Sequence, residues 1–519
     1  MSRPQAESVH KLLAHTILNE YSARIKIVLE ERHTRGASAS DGVLRQPNRT
    51  SEQSSGTPVR QDVRNKIVTA KARGNSLGRV ADEVRALQRG LTGERRLAGS
   101  GYFSSDEFLE AYLSYYWPVS FVETYLALTE LEARGIKIPG ASVLDLGAGP
   151  GPATFACLEF LRHFLPRNQE QPLVTLVDAN ATALEVAKRI AALSDEASGK
   201  QGLAANLRCI VCDLQSFDWQ NMTKSEPQKS APSKDLEDEG SQEDSAFLRG
   251  TSYSLILMCH SLNELWNDEP EAEAVEKRFM LVLEACRHLD DGGLLLIVEP
   301  AAAIASRPAL MLRDRLLAHT CAAGSGGGGF VLRCAGPCPG SFPCPAIAAA
   351  GAQSAKQTVQ SQQGTAGSQP QRSCHSRWPW NLRGTLAEIA SEAGLDRDSA
   401  KATWFALQKC ALSNSDLHAT ADNKSSAVPD SSTQLYGRVI SEPLLNKAGR
   451  IRYLFCTATG LATVSARAED EYAKKIGFFT LERGDLAEFS DLEIRPGEHN
   501  FGIQKSSQLS VVFKIPRIR

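Results

Sequence analysis

The sequence predicts an α/β fold with a doubly wound, mostly parallel sheet, and three observations predict it. Short apolar runs of strand length alternate with helical stretches from about residue 105 to 310. The first run ends in a glycine-rich turn that opens a helix. The second and third runs each close on an aspartate, at the strand ends where open α/β sheets take their ligands.

The expected strands are 142–149, 172–179, 207–214, 253–260 and 293–300, with helices over 152–163, 181–193 and 271–288. Ahead of them, helical spacing marks 9–31 (Val9, Leu12, Leu13, Ile17, Leu18) and 61–90 (Val63, Ile67, Val80, Val84, Leu87). Residues 36–60, rich in Ser, Gly, Thr and Arg, form a linker between these helices. An insert at 222–248 carries three Lys against seven acids, net -4, and is expected as a surface loop. Residues 346–373 and 413–433 have loop composition. Strand-like pieces at 435–440, 450–458 and 461–465 suggest a small β-rich region. The expected organisation is a basic helical region (1–104), a Rossmann-like domain (105–320), a cysteine-rich metal-binding region (321–460) and a basic extension (461–519).

With 519 residues, 42% hydrophobic and 23% charged, the chain is not wholly disordered, collagenous or coiled-coil. Its net charge of -2 argues, as an average, against a nucleic-acid binder, but the charge is segregated. Residues 1–100 hold 18 Lys/Arg against 10 Asp/Glu, net +8, and 494–519 hold five bases and one acid. Those basic helices admit two readings, a solvated face or a phosphate-contacting arm. No run reaches the ~20 apolar residues of a membrane span. The nearest, 292–305, is broken by Glu299 and Pro300. No secretory pattern is present, and Glu7, Glu20, Glu30 and Glu31 argue against a transit peptide. The expected location is a bacterial-type cytoplasm, with the mitochondrial matrix as the alternative.

The most informative motif runs from Val143 through Asp145, Gly147, Gly149 and Gly151 to Pro152. Strand, D-x-G-x-G-x-G turn and helix together make a nucleoside-binding first loop, where glycines let backbone approach a ligand. Asp145 suits a cationic amino-acid portion. The acid before the first glycine, with Pro150 after the second, resembles the first motif of S-adenosylmethionine-dependent methyltransferases more than a dinucleotide fingerprint. Asp178 stands where an acid binds ribose hydroxyls, and Asp213 where methyltransferases place one near the adenine amine. The competing reading is a scaffold that kept its turn and lost its ligand. Residues 259–266 (Cys259, His260, Ser261, Leu262, Asn263, Glu264, Leu265, Trp266) lie where amino-methyltransferases carry N/D-P-P-Y/F, which is missing. Asn263 and Glu264 are candidates for substrate contact or for capping, and the catalytic residues stay unassigned.

Twelve cysteines in a chain without a secretory pattern point to metal or buried thiols rather than disulfides. Cys338 and Cys344 each precede a proline, Cys374 is followed by His375, and Cys456 ends a strand-like run. Thiolates suit zinc or an iron–sulfur cluster, and Cys-Pro recurs beside clusters. Incidental thiols are the alternative. Cys334 and His375 are rival ligands. Cysteines 157, 209, 212, 259, 286, 321 and 410 read as buried small hydrophobes.

D-L-G-A-G-P-G, S-L-N-E-L, V-E-P, the paired Cys-Pro and a later Cys with aromatics together resemble the methyltransferase-like small-ribosomal-subunit assembly family. Members occur in mitochondria and bacteria, and the resemblance covers about 100–480. It implies a Rossmann-like S-adenosylmethionine-dependent methyltransferase fold with a helical N-terminal region and a cysteine-bound, β-rich C-terminal extension. It further implies a [4Fe–4S] cluster on Cys338, Cys344, Cys374 and Cys456, and the small ribosomal subunit with its rRNA as partner. Gly340 departs from the family, which has His after the first Cys-Pro. The long loop before Cys374 and the 112–121 segment depart as well. The alternatives are an active RNA or protein methyltransferase with structural zinc, and a non-enzymatic ribosome-binding factor.

Overall fold

A computed structural model describes residues 3–40, 77–93, 97, 100–164, 171–198, 203–204, 206–216, 251–321, 329–347, 374–395, 398–412 and 433–515. The expected insert at 222–248, nearly all of 346–373 and 413–433, and the bulk of the 36–60 linker lie outside these residues.

The expected strands form β1 (Ser142–Leu146), β2 (Leu173–Asp178), β3 (Leu207–Val211), β4 (Tyr253–Cys259) and β5 (Leu289–Pro300). They pair in parallel in the order β3-β2-β1-β4-β5. Chain order therefore reverses between β1 and β4, which opens a crevice at their carboxyl ends. The sheet then continues through β6 (Thr320–Cys321), β7 (Phe330–Gly336), β8 (Ser376–Pro379) and β9 (Ser399–Ala411). Strand β9 lies antiparallel between β5 and β7, and β8 adds to its other end. The domain boundary expected at 320 is thus corrected. An open sheet edge at β5 would leave backbone groups unpaired, and β9 covers it with a thirteen-residue strand.

The described α-helices include α1 (Arg3–Ser40), α2 (77–88), α3 (Asp106–Ala111), α4 (Trp117–Ala133), α5 (Pro152–Phe164), α6 (Ala181–Ser198), α7 (Glu271–Arg287), α8 (Ala303–Ala318), α9 (Gly384–Glu392) and α10 (Glu471–Lys475). Helices α1, α4, α5 and α6 cover one face of the sheet, packing on Val143, Val174, Leu255 and Leu294. Helices α7 and α8 cover the other, over Leu144, Ile256 and Leu295. Helix α4 is buried on all sides from Trp117 to Leu131, as a helix enclosed by its own protein must be.

The amino-terminal helix is part of this core. Ile17, Leu18, Tyr21, Ile25 and Val28 of α1 are buried, and Tyr21 packs in tilted contact with Trp117, Phe121 and Phe155. Its hydroxyl donates to Glu159 Oε1 at 3.0 Å. Several basic residues of the first hundred are engaged internally: Arg24 with Glu20, Arg32 with Asp106, Arg79 with Glu110, and Arg85 with the carbonyls of Glu392 and Ala393.

A second sheet is built from β10 (Leu435–Val439), β11 (Leu444–Leu445), β12 (Arg450–Thr457), β13 (Gly460–Arg467), β14 (Leu486–Ser490), β15 (Glu493–Ile494), β16 (Asn500–Gly502) and β17 (Gln508–Phe513). Its order is β15-β16-β13-β12-β10-β14-β17, with β11 on β12. The boundary expected at 460 cuts the β12–β13 hairpin, whose eight residue pairs run from Arg450↔Arg467 to Thr457↔Gly460. What was expected as a basic extension is, in its described part, folded sheet with its own core of Tyr453, Phe455, Val464, Phe478 and Phe489. Within it Arg495 pairs with Glu493 and Lys514 with Asp485.

The two sheets meet through buried charge. Glu130 of α4, fully enclosed, takes Arg134 at 2.7 Å and Arg438 of β10 at 2.7 Å. Arg438 also donates to the carbonyl of Pro337 (2.9 Å) and to Ser376 Oγ (2.7 Å). Glu130→Ala would strand two buried guanidinium groups and is expected to lower stability by about 3–5 kcal/mol in urea denaturation. A change below about 1 kcal/mol would mean the network is not a structural tie.

Candidate functional site

At the crevice the chain leaves β1 through Gly147, Gly149 and Gly151, with φ of 75°, 53° and 78°. Gly147 is required twice over, because a Cβ there would also collide with Ser261 Cβ, in the loop after β4. Ser261 Oγ in turn donates to the Leu146 carbonyl at 3.0 Å. Gly151 serves packing: its Cβ would meet Phe155 and Ala187, and it lies outside the cleft lining. Trp117 Nε1 holds the turn from behind, donating to the Pro150 carbonyl at 3.0 Å.

Asp145, Gly147, Gly149, Asp178 and Asp213 all line one cleft of about 180 Å³. Asp145 Oδ2 accepts from Thr154 Oγ1 (2.6 Å), while its buried Oδ1 has no partner among the described residues. Burial, with repulsion from Asp178, pushes this carboxyl up to about 7. Asp178 accepts the N–H groups of Gly149 and Asn180, both at 2.8 Å. Burial raises its pKa, and those two hydrogen bonds oppose the rise. Asp213 Oδ1 accepts from Gln215 N at 2.9 Å. Each carboxylate oxygen keeps a second lone pair for a ligand.

Sequence reasoning missed the other side of the cleft. Tyr102 and Phe103 precede α3, and Tyr112 opens a π-helical turn (Tyr112–Tyr116) between α3 and α4. Burial raises both tyrosine hydroxyls, and the charge of Glu264 adds to it. Cys259, His260, Ser261 and Glu264 complete the wall. Of the two expected substrate-side candidates, Glu264 reaches the cleft. Asn263 is buried and donates to the His260 carbonyl at 3.3 Å. Among the described residues the lining includes four carboxylates and no Lys or Arg, a surface for a cation rather than a pyrophosphate.

The expected metal residues also converge, at a second place. Cys338 and Cys344 follow β7, Cys374 precedes β8, and Cys456 lies on β12. Cys456 feels the charge of the other three, Cys344 that of Cys374 and Cys338, and Cys374 that of Cys338. Burial raises Cys344, to about 12, and also Cys374 and Cys456. Cys338 is lowered to about 6, first by its hydrogen bond with Cys334 and then by Arg313, Arg438 and Arg134. Arg313 is fully buried and donates to the carbonyls of Phe342 (3.1 Å) and Gly340 (3.0 Å). Among the described residues no three Cys, His, Asp or Glu side chains form a set that could hold a metal ion. Of the rival ligands, Cys334 bonds Cys338, and His375 faces Arg483 at 3.4 Å. Among the thiols expected as core, Cys157 and Cys286 are buried while Cys209, Cys212, Cys259 and Cys410 are half-buried.

No family model and no curated protein matches this chain. Several solved structures similar to it are methyltransferases. An S-adenosylmethionine-dependent methyltransferase from Clostridium acetobutylicum is 13% identical over 41% of this chain and 61% of its own, TM-score 0.20. An amino pentose methyltransferase of calicheamicin biosynthesis from Micromonospora echinaspora is 17% identical over 33% and 48%, TM-score 0.19. A methyltransferase from Streptomyces caelestis is 13% identical over 42% and 65%, TM-score 0.22. In each the match spans less than two thirds of that protein's chain. The Rossmann-like fold itself is carried by the strand order and the glycine turn described above. No described helix is long and apolar enough to cross a membrane.

The Asp145 carboxyl binds its proton more tightly when folded, near 7 against an ordinary 3.8, so it favours folding at low pH. That contribution is lost as pH rises through 7. Asp145→Asn is therefore expected to melt higher than the parent chain at pH 8 and to lose that advantage by pH 4. Thermal melts across that range check it, and a uniform shift at both ends would contradict it.

Proposed function

We propose that the cleft binds S-adenosylmethionine and that the chain is a methyltransferase-like protein. One observation carries this: the carboxyl ends of β1, β2 and β3 bring three aspartates and the glycine turn to one acidic cleft with no Lys or Arg among its described residues. Asp145, with its unpartnered buried oxygen, would face the cationic methionine portion. Asp178 would take the ribose hydroxyls and Asp213 the adenine amine. The donor set fits the ligand's charge, and when bound the sulfonium supplies an electrophilic methyl group. Calorimetry with S-adenosylmethionine tests it: Asp178→Ala should weaken binding tenfold or more. Because Asp145 must be ionised to pair with a cation, affinity should fall by up to about tenfold per pH unit below 7. A fold-intact chain that binds nothing would leave the vestigial-scaffold reading.

For the thiol pocket we propose a [4Fe–4S] cluster on Cys338, Cys344, Cys374 and Cys456, with zinc as the alternative. What supports it is four thiols that influence one another electrostatically and feel nearby arginines, Arg313, Arg438 and Arg134 at Cys338; as placed, they do not yet make a ligand set, so binding would draw them together. Anaerobically purified protein should be brown, with iron and sulfide, and Cys344→Ala should lose the visible absorbance. Colourless, zinc-loaded protein would favour the alternative.

As partner we propose the small ribosomal subunit and its rRNA, on the family resemblance and the net +8 of the first hundred residues. Co-sedimentation with small subunits should weaken steeply with salt, and salt-independent or absent pelleting would contradict it.

A further inference from the structure

The cleft is small for a nucleoside joined to an amino acid. It holds about 180 Å³, against roughly 300–1,000 Å³ for pockets that enclose a small-molecule ligand. Such a ligand is enclosed only if part of the wall gives way. Most of the wall is pinned. The Gly147 and Ala148 N–H groups bond the Val177 carbonyl at 2.8 and 3.1 Å, and the Gly149 N–H bonds Asp178 at 2.8 Å. In the loop after β4, the His260 N–H donates to the Val298 carbonyl (2.7 Å) and the Leu262 N–H to Glu299 Oε1 (3.0 Å). The Trp266 N–H reaches Gln215 Oε1 (2.8 Å), and Arg278 donates to the Leu265 carbonyl (2.6 Å). His260 Nε2 also stands 3.0 Å from Oε2 of Glu123, a carboxylate buried on α4.

The Ser100–Ser104 turn is the exception. It brings Tyr102 and Phe103 to the cleft, yet among the described residues its backbone bonds are local, as from the Ser105 N–H to the Tyr102 carbonyl (3.2 Å). Ring packing holds it: Tyr102 and Phe103 have centroids 4.3 Å apart, and Phe103 meets Tyr112 edge-on at 4.9 Å. Phe103 also covers the glycine turn, its ring 3.5 Å from where a Cβ on Gly149 would stand. The two buried rings are flanked by exposed Gly101 and Ser104, and no atom lies within 4 Å of a Cβ position at Gly101. Beyond the turn the chain is anchored again. Ser105 Oγ accepts the Phe108 N–H at 3.3 Å, and α3 is tied by Asp106 to Arg32 and by Glu110 to Arg79. We propose that the Ser100–Ser104 turn is a gate, hinged at Gly101 and the Ser105 cap, that swings Tyr102 and Phe103 off Gly149 to admit S-adenosylmethionine and then closes on it. This rests on the reading of the cleft as an S-adenosylmethionine site. Apolar packing is non-directional, so the turn can part from the cleft without breaking a strand ladder. Opening exposes two aromatic rings, which keeps the open form a minor one that the ligand must wait for. The rings also suit the closed state, because aromatic faces attract a cation.

Hydrogen exchange on the full-length chain, with and without S-adenosylmethionine, tests the gate. Amides of residues 100–105 should exchange faster than those of α3 in the free protein, and slow about tenfold or more once the ligand is bound. Exchange there that does not change, while calorimetry shows the ligand bound, would overturn the gate and leave the cleft reading standing. Absence of binding by calorimetry would overturn the cleft reading, and the gate with it. Stopped-flow tryptophan fluorescence gives a second readout. Phe103→Ala should speed association and release of S-adenosylmethionine together, each about tenfold or more, because the open form becomes more populated. A variant that releases faster but associates at the parent rate has only lost a contact, and that result would overturn the gate. The exchange experiment uses the parent chain, so it decides the matter whether or not the variant folds.

Discussion

Much of this structure depends on one enclosed helix. Helix α4 has no face toward water from Trp117 to Leu131, yet it carries Glu123 and Glu130. A buried carboxylate is tolerable only with partners, so each fixes a neighbour: Glu123 the histidine of the cleft, Glu130 the arginine of the second sheet. Trp117, at the helix start, holds the glycine turn through the Pro150 carbonyl. Three side chains on one rod therefore set the positions of the glycine turn, the cleft histidine and the thiol pocket. Ordinary apolar packing would allow those parts to slide; hydrogen-bonded buried charge does not.

The cleft and the thiol pocket have opposite electrostatic character. The cleft gathers carboxylates, and burial, with repulsion from Asp178, favours the protonated form of Asp145. The pocket gathers thiols that resist ionisation by burial, with arginines placed to favour a thiolate at Cys338. One chain thus holds an acid-rich cleft and an arginine-bordered thiol pocket. Arg438 belongs to the second and, through Glu130, to the helix that builds the first.

The parallel strands were legible because each is a short apolar run flanked by a turn, and the three aspartates because they close such runs. The glycine turn was legible in position and partly misread in role, since Gly151 serves the contact with Phe155. The boundaries at 320 and 460 were misplaced for a physical reason. Strand β9 is completed by residues far along the chain, and a hairpin such as β12–β13 has no compositional seam at its turn. The pairing of His260 with Glu123, and of Arg438 with Glu130, left no trace in spacing. Such partners are separated by more than a hundred residues and meet only through tertiary packing.

Cys456 arrives late, on a strand of the second sheet, while Cys338 and Cys344 are among the first residues past β7. During synthesis at ~10 residues per second, the early thiols would wait roughly ten seconds for the last one. For that interval the nascent chain carries reactive sulfur without its enclosing wall. A ribosome making this protein would therefore expose the thiols to oxidants and stray metal, and a protecting chaperone or a reducing compartment would raise the yield of chains with intact thiols.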